Sequence, residues 1–324
     1  MSVQYKRIFE ADKPLPKDVQ PRSAAGDRRD GAVYVYNPDI ELAVNVAIAT
    51  ARPLLVRGPS GSGKSSLAQN VALKLGWRYY EHVVSSVTEA RDLLWRFDRV
   101  RQLADATGNK TYIANRYIQP GPLWWAFDRR TARLRGLDEP HDDVEPAVDP
   151  AGDKYKDERA VVLLDEIDKA DPDVPNNLLV PLGSMQFSLT YPERTIKVPD
   201  GELPPLVVIT TNEERELPAA FVRRCVVTSF DRPDKERLLE IAREHFPKAD
   251  PGLCERIADF LFEVVDEKKR AGEAQPSTAE YLDAIAACDR LLSTRDMRQK
   301  SDIWKEIARV VLEKTHTTQE AGAK

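Results

Sequence analysis

The sequence predicts an α/β fold in two parts: a core with helices on both faces of a parallel sheet, and a small domain made only of helices. Short apolar runs alternate with helical patterns as far as residue 232, and three of these runs end in polar side chains. From Asp234 onward, apolar residues recur only at helical spacing. We therefore expect a loosely ordered segment over 1–30, a core over 31–232 and a helical lid domain over 233–324.

Local signals mark the elements of the core in turn. Asn37 can cap a helix that begins at Pro38, and Gly76 can end a second helix that begins at Ser65. Runs of β-branched and aromatic residues predict strands, whereas the apolar spacing of 88–105 predicts a helix. In chain order we predict a helix from residue 38, a strand over 53–56, a helix over 65–75, a strand over 79–84, a helix over 88–105, a strand over 161–164, a helix through 178–179, a hairpin with strands over 185–189 and 195–198, a strand over 206–211 and a strand over 225–230.

Charged residues cluster in two stretches of the core. Between Asp138 and Asp153 there are seven acidic residues, three prolines and no lysine or arginine, which predicts a solvated loop. We interpret a nearby basic run as a solvated helix face or a subunit interface opposite this loop, with contact to a phosphate backbone as the alternative. The basic run consists of Arg129, Arg130, Arg133 and Arg135.

Composition narrows the class of protein. Charged residues make up 31% and hydrophobic ones 42% of 324 residues, and the net charge is -5, so we do not expect nucleic acid as the main partner. Cys225, Cys254 and Cys288 form no metal-ligand pattern, and we expect reduced, mostly buried thiols in a cytoplasmic protein. The four histidines are scattered, so no metal or catalytic role is expected of them. The start of the chain predicts no signal peptide, and no apolar stretch approaches the roughly 20 residues of a membrane span.

A glycine-rich loop follows the first predicted strand and matches the pattern G-x-x-x-x-G-K-[ST]. Backbone N–H groups at the start of a helix have no intrahelical partner, so such a loop can bind phosphate oxygens. Lys64 can bridge the outer phosphates of ATP, and the Ser65 hydroxyl can ligate Mg²⁺. The candidate nucleotide-binding residues are Gly58, Pro59, Ser60, Gly61, Ser62, Gly63, Lys64, Ser65 and Ser66.

Polar side chains end two further apolar strands. Asp165 can hold Mg²⁺ together with Ser65, and Glu166 can activate a water for attack on the γ-phosphorus. Asn212 can donate to the γ-phosphate or orient the attacking water without adding charge. The alternatives are a solvated Asp-Glu pair at a strand end and an ordinary turn asparagine. The order of the three segments favours the nucleotide site.

Two adjacent arginines, Arg223 and Arg224, follow a short helical segment before the last strand. Phosphoryl transfer uses an arginine to neutralise charge in the transition state, and a neighbouring subunit can supply it. Adjacent arginines are also common on solvated surfaces.

With these motifs the chain resembles the AAA+ ATPases, a class of P-loop NTPases, and within them the MoxR-like branch. The resemblance covers about residues 32–320 and includes the segment 217–225, where Arg224 rather than Arg223 matches the arginine finger. It implies that Asn212 is sensor 1 and that Tyr36 and Asn37 border the adenine. It also implies a ring-shaped homo-oligomer, a hexamer, that acts on a protein client such as a von Willebrand factor A domain protein.

Two further features of the chain resemble the MoxR-like branch, and one feature of that branch is missing from the chain. The aromatic stretch 120–125 is similar to the insertion of this branch near its second helix, and the hairpin around Tyr191 is similar to its pre-sensor hairpin. Both would face a pore or a partner, with core packing as the alternative for Trp124 and Trp125. The sensor 2 arginine is replaced by Ala279, so Arg290 substitutes for it or coupling to the lid is weaker.

The function predicted from the sequence is Mg²⁺-dependent hydrolysis of ATP by a ring that remodels a protein partner in a chaperone-like way. In this interpretation the nucleotide lies between core and lid, at the carboxyl ends of the strands. A nucleic-acid motor, a P-loop kinase of a small molecule and a degenerate nucleotide-binding scaffold remain as alternatives. The intact Lys64, Asp165 and Glu166 argue against the scaffold.

Overall fold

The computed structural model describes residues 6–16, 31–108, 111–153, 158–190, 193–292 and 302–313. The chain divides into two compact units. Where described, the first comprises Met1–Ala32, Tyr36–Gly58 and Lys64–Ser229, and the second comprises Val33–Val35, Pro59–Gly63 and Phe230–Lys324.

Five parallel strands form the sheet of the first unit, in the spatial order β2-β5-β8-β1-β9. Its central strands are buried along most of their length, as expected for a sheet covered on both faces. The predicted α/β class with a parallel sheet is therefore confirmed. In chain order the strands are β1 Leu54–Arg57, β2 Arg78–Val83, β3 Trp95–Phe97, β4 Ile118–Pro120, β5 Ala160–Asp165, β6 Gln186–Thr190, β7 Glu193–Lys197, β8 Leu206–Thr211 and β9 Val226–Ser229.

Helices surround this sheet and make up the second unit. Asn37 caps α1 as predicted, since its side chain accepts a hydrogen bond from the backbone N–H of Ile40 at 2.7 Å. The described helices are α1 Pro38–Thr50, α2 Lys64–Leu75, α3 Arg99–Thr107, α4 Pro122–Phe127, α5 Arg129–Arg133, α6 Asp173–Asn177, α7 Leu179–Ser184, α8 Ala219–Val222, α9 Lys235–His245, α10 Pro251–Ala271, α11 Thr278–Leu291 and α12 Ile303–Leu312. Among these helices none is both long and apolar enough to cross a membrane.

The prediction of one helix over 88–105 was wrong. The segment contains a 3₁₀ turn over Ala90–Leu93, then β3 and then the start of α3. Strand β3 pairs antiparallel with β4, and this pairing breaks the helix. The apolar residues also fail to share one face, because Leu93 is buried whereas Val100 and Leu103 are exposed.

The hairpin before β8 is confirmed, since β6 and β7 pair antiparallel with Phe187 opposite Ile196. Its tip, Tyr191-Pro192, lies outside the described residues. The Trp124 ring packs edge-on against Phe187 with centroids 5.8 Å apart, and its indole N–H donates to Thr131 at 3.0 Å. Trp124 and Trp125 are both buried in the chain, which supports core packing for them.

The segment 1–30, predicted to be loosely ordered, is described only over 6–16. In that part Phe9 is fully buried. The Asn45 side chain donates to the Phe9 carbonyl at 2.8 Å and accepts from the N–H groups of Ile8 and Phe9 at 2.7 and 2.9 Å. An amide that pairs with both backbone groups of a residue anchors it like a strand neighbour. The described part is therefore docked on α1, contrary to the expectation.

The acidic stretch 138–153 has no named helix or strand, but it is not simply solvated. Asp149 is buried, and its carboxylate lies 2.6 Å from Arg129 and 3.7 Å from the buried Arg78. Asp153 pairs with Arg129 and Arg133. The basic run therefore pairs within its own chain, which corrects the expectation of a solvated helix face.

The second unit has a helical core from α9 to α12. The buried Tyr281 hydroxyl donates to the Cys254 carbonyl at 3.0 Å and ties α11 to α10. The unit also contains Val33–Val35 and Pro59–Gly63, which the sequence analysis placed in the core domain. All three cysteines are buried free thiols, as predicted.

Candidate nucleotide site

Three neighbouring strands present their carboxyl ends at one edge of the sheet. Strands β5, β8 and β1 are adjacent and parallel, so Asp165, Asn212 and Gly58 emerge side by side. Helix α2 begins at Lys64, at the same edge. This is the edge at which open parallel sheets bind ligands.

Lys64 is nearly buried, with 5% of its surface exposed. Its ammonium donates to the Gly58 carbonyl and to Asn212 Oδ1, each at 2.8 Å. Burial lowers the pKa of Lys64, and the neighbouring carboxylates, chiefly Asp165, oppose that shift. A positive charge is thus held at the start of α2, where the phosphates of a nucleotide would need it.

Ser65 and Asp165 meet directly. The Ser65 hydroxyl lies 2.8 Å from both oxygens of the Asp165 carboxylate, and the Thr210 hydroxyl donates to the same carboxylate. A hydroxyl beside a carboxylate offers the hard oxygen ligands that Mg²⁺ prefers, so these residues fit the ion. Thr210 was missed by the sequence analysis, although it lies in the same strand end as Asn212.

Glu166 has a left-handed backbone, with φ of 60° and ψ of 49°, which is uncommon for a residue other than glycine. Its backbone N–H donates to Thr210 Oγ1 at 2.9 Å. One carboxylate oxygen accepts from Asn212 at 3.1 Å and the other from Lys169 Nζ at 2.6 Å. The hydrogen bond to Glu166 raises the pKa of Lys169. Lys169 was not singled out from the sequence, and its only signal was the spacing i, i+3.

Asn212 joins the two charged ends of the site. Its amide oxygen accepts from Lys64, and its NH₂ group donates to Glu166. Its backbone N–H donates to the buried Asp168 at 3.2 Å, and Asp168 also accepts from the N–H of Glu214 at 3.0 Å. Asp168, which the sequence analysis missed, therefore fixes the turn from which Asn212 projects.

In the second unit, the loop Pro59–Gly63 contacts the start of α11. The Ala279 N–H donates to the Gly61 carbonyl at 3.2 Å. Gly61 has φ of +70°, and a Cβ at this position would lie 2.2 Å from Ser277 Oγ. Only glycine fits a loop that is both left-handed and in contact with a neighbouring side chain.

The residue that occupies the sensor 2 position, Ala279, is thus in contact with the loop. Arg290 lies 11 residues further along α11, which corresponds to roughly 16 Å of helix. Arg290 is therefore distant from the part of α11 that contacts the loop, and its substitution for the sensor 2 arginine stays a prediction.

The residues expected near the adenine have other partners. Asn37 caps α1, and the Tyr36 hydroxyl donates to Asn70 at 2.8 Å. Tyr34 is the tyrosine near the loop, since a Cβ on Gly63 would lie 3.6 Å from its ring.

Arg223 and Arg224 precede β9, so their backbone lies at the end of the sheet away from Lys64, while Arg223 also lines a cavity with Arg57 and Thr211. Leu54, the first residue of β1, lies beside Val226 of β9. Arg223 and Arg224 therefore precede the amino-terminal end of β1 in the sheet. The four residues of β1 span about 13 Å at about 3.3 Å per residue. Within the described part of the chain, neither arginine has a carboxylate partner, and the Arg224 side chain makes a 3.5 Å contact to the Ala220 carbonyl. The structure therefore does not bring these arginines into the group formed by Lys64, Ser65, Asp165, Glu166 and Asn212.

The region that contains this candidate site matches a known protein family. A sequence model described as AAA domain (dynein-related subfamily) matches residues 53–225, which include the loop, both carboxylates, Asn212 and the two arginines. The chain therefore belongs to the AAA ATPase family and is an ATP hydrolase.

Solved structures of similar fold include RuvB variants from Thermotoga maritima. One is 15% identical with a TM-score of 0.48, over 86% of this chain and 71% of the RuvB chain. A proposed ATPase from Cytophaga hutchinsonii is 15% identical with a TM-score of 0.41, over 85% of this chain and 80% of that one. At this identity we draw no functional conclusion from either likeness.

Proposed function

We propose that this chain is a MoxR-like AAA+ ATPase that hydrolyses ATP with Mg²⁺ in a ring-shaped homo-oligomer and remodels or activates a protein partner. The observation that supports this best is the hydrogen-bonded chain from Lys64 through Asn212 to Glu166. A γ-phosphate that binds Lys64 would compete with Asn212 Oδ1 for the ammonium. Nucleotide binding and the position of Glu166 are therefore coupled through one amide.

Each residue has a distinct task in the proposed reaction. Residues Gly58 to Ser66 bind the phosphates, and Lys64 neutralises their charge. Ser65 and Asp165 hold Mg²⁺, which would screen the phosphate oxygens. Glu166 takes the proton of the attacking water, and Asn212 orients that water or the γ-phosphate. Lys169 and Asp168 position Glu166 and Asn212, respectively.

Arg224 completes the site of a neighbouring subunit. It lies at the far edge of its own sheet, and among the described residues it has no carboxylate to neutralise it. An unpaired guanidinium suits the developing charge of phosphoryl transfer, and only another copy of the chain can bring it to the nucleotide. This requirement supports a ring, for which we propose a hexamer.

The client is proposed from the resemblance alone. A protein with a von Willebrand factor A domain is the class of partner that the MoxR-like branch suggests, and for this chain itself we propose a cytoplasmic location. The net charge of -5 argues against nucleic acid as the main partner.

The substitution Glu166→Gln tests the proposed base. We expect ATP binding to persist while turnover falls by about 10²- to 10⁴-fold, because the amide cannot accept the proton of water. The measurements are nucleotide affinity by equilibrium titration and phosphate release at saturating Mg-ATP. Glu139→Gln removes an exposed carboxylate from the acidic stretch and serves as the matched control. Near-normal turnover in Glu166→Gln would remove Glu166 as the base.

A further inference from the structure

Arg52 contacts the backbone of both candidate finger arginines. Its Nε donates to the Arg224 carbonyl at 3.0 Å, and its Nη2 donates to the Arg223 carbonyl at short distance. Two donors of one planar group thus hold two successive carbonyls. A guanidinium can do this, whereas the single ammonium of lysine cannot reproduce the fork.

The local fold explains why Arg52 reaches this place. Helix α1 ends at Thr50, and Ala51 adopts a left-handed conformation with φ of 53° that turns the chain. Strand β1 then begins at Leu54, beside Val226 of β9. Because the Val226 N–H also donates to the Pro53 carbonyl at 2.8 Å, the segments before β1 and before β9 lie next to each other.

Helix α8 is a single turn that ends at Val222, with Arg223 as its C-cap and Arg224 just beyond it. The last carbonyls of a helix lack intrahelical partners, and a cation near them is favourable. Arg52 therefore supplies both the missing donors and the charge. The Arg224 side chain has no ion pair in the described chain, and it makes a 3.5 Å contact to the Ala220 carbonyl, so the backbone that Arg52 holds fixes where this side chain begins.

We propose that Arg52 is a positioning residue for the arginine finger: it clamps the backbone of Arg223 and Arg224 so that the finger can enter the nucleotide site of the next subunit. The assignment rests on the proposed function, and it adds a residue that touches neither nucleotide nor metal. Arg52 precedes β1, at the edge of the sheet away from Lys64. Its loss should therefore leave ATP binding by its own subunit intact.

The test compares Arg52→Ala with Arg52→Lys and with Arg130→Ala. Arg130 is the matched control, because it is an exposed arginine that donates to a backbone carbonyl, that of Asp138, at 2.8 Å. We expect Arg52→Ala to lower kcat by about 10- to 100-fold with KM nearly unchanged, as a misplaced catalytic group does. Arg52→Lys should recover part of the loss, and Arg130→Ala should keep normal turnover. Thermal unfolding of each variant reports whether the fold is intact.

Mixtures of subunits separate positioning from a structural effect. Arg52→Ala subunits keep a complete nucleotide site, and Glu166→Gln subunits keep a complete finger. A mixture of Arg52→Ala and Glu166→Gln subunits should therefore hydrolyse ATP faster than the summed rates of the two separate proteins. A parallel mixture of Arg224→Ala with Glu166→Gln should do the same. If only the Arg224→Ala mixture recovers, or if Arg52→Ala matches Arg130→Ala, the role of Arg52 is refuted while the proposed function stands. If neither mixture recovers, the finger supplied in trans is refuted, and the role of Arg52 falls with it.

Discussion

Two groups of arginines in the same unit differ in whether carboxylates lie within reach. The basic run before the acidic stretch is paired: Arg129 contacts Asp149 and Asp153, and Arg133 contacts Asp153. Arg223 and Arg224 have no such partner among the described residues. The residue type is the same in the two groups, so the availability of an arginine for phosphate depends on what the fold places beside it.

The two groups also have different energetic roles. Arg129 and Asp149 belong to a half-buried network that includes Arg78, which is 1% exposed. Charges removed from water in this way depend on each other, and loss of the buried Asp149 would leave Arg129 and Arg78 only the exposed carboxylates of Asp153 and Glu158. The unpaired arginines before β9 remain hydrated and available to another molecule.

The largest expected effect is on the unpaired group. Replacing Arg224 by Ala should lower turnover by about 10³-fold or more while ATP still binds, because a finger neutralises transition-state charge. Arg133→Ala removes an exposed, paired arginine and should leave turnover unchanged. The measurement is phosphate release at saturating Mg-ATP. Equal losses of turnover in Arg224→Ala and Arg133→Ala would contradict the proposed difference between the two groups of arginines.

Changes in the paired group around Arg129 should alter the stability of the fold rather than turnover. Asp149→Ala should lower the free energy of unfolding by about 3–5 kcal/mol, because it leaves Arg129 and Arg78 without a buried partner. Turnover of the folded fraction should stay normal. Urea unfolding measures the change, with the exposed Asp142→Ala as control, for which we expect a change within about 0.5 kcal/mol. A small loss in Asp149→Ala would mean that the network contributes little.

Gly61 and Gly76 allow a similar comparison, because they share a backbone conformation but differ in the atoms around them. Gly61 and Gly76 have φ of +70° and +69°, but a Cβ would meet Ser277 only at Gly61 and nothing within 4 Å at Gly76. Replacing either by Ala should cost about 1–2 kcal/mol of stability through backbone strain. Only Gly61→Ala should also weaken ATP binding, which isothermal titration would measure. Equal affinity in both variants would contradict the tight fit of the loop.

The features predicted correctly from the sequence are those specified over short stretches of chain. Strands β5 and β8 and the cap of α1 each depend on neighbouring residues and a known strand geometry. The roles of the glycine-rich loop and of the polar strand ends in binding a nucleotide stay predictions. The family match over 53–225 supports the predicted fold class and the predicted class of ATPase.

The features that sequence analysis missed depend on contacts between distant segments. Pairing of β3 with β4 replaced the predicted helix over 88–105, and Asp168 reaches the turn of Asn212 across 44 residues. The pairing of Arg129 with Asp149 spans 20 residues and turns an expected solvated face into a half-buried network. No periodicity in the sequence encodes which acidic residue meets which arginine.

The central claim is that each nucleotide site is completed by another subunit. Its most direct test is turnover per subunit across a dilution series in Mg-ATP, with the mass of the same samples measured by light scattering. We predict that turnover per subunit falls in step with the loss of the hexamer. Undiminished turnover in samples that contain only single subunits would contradict the claim.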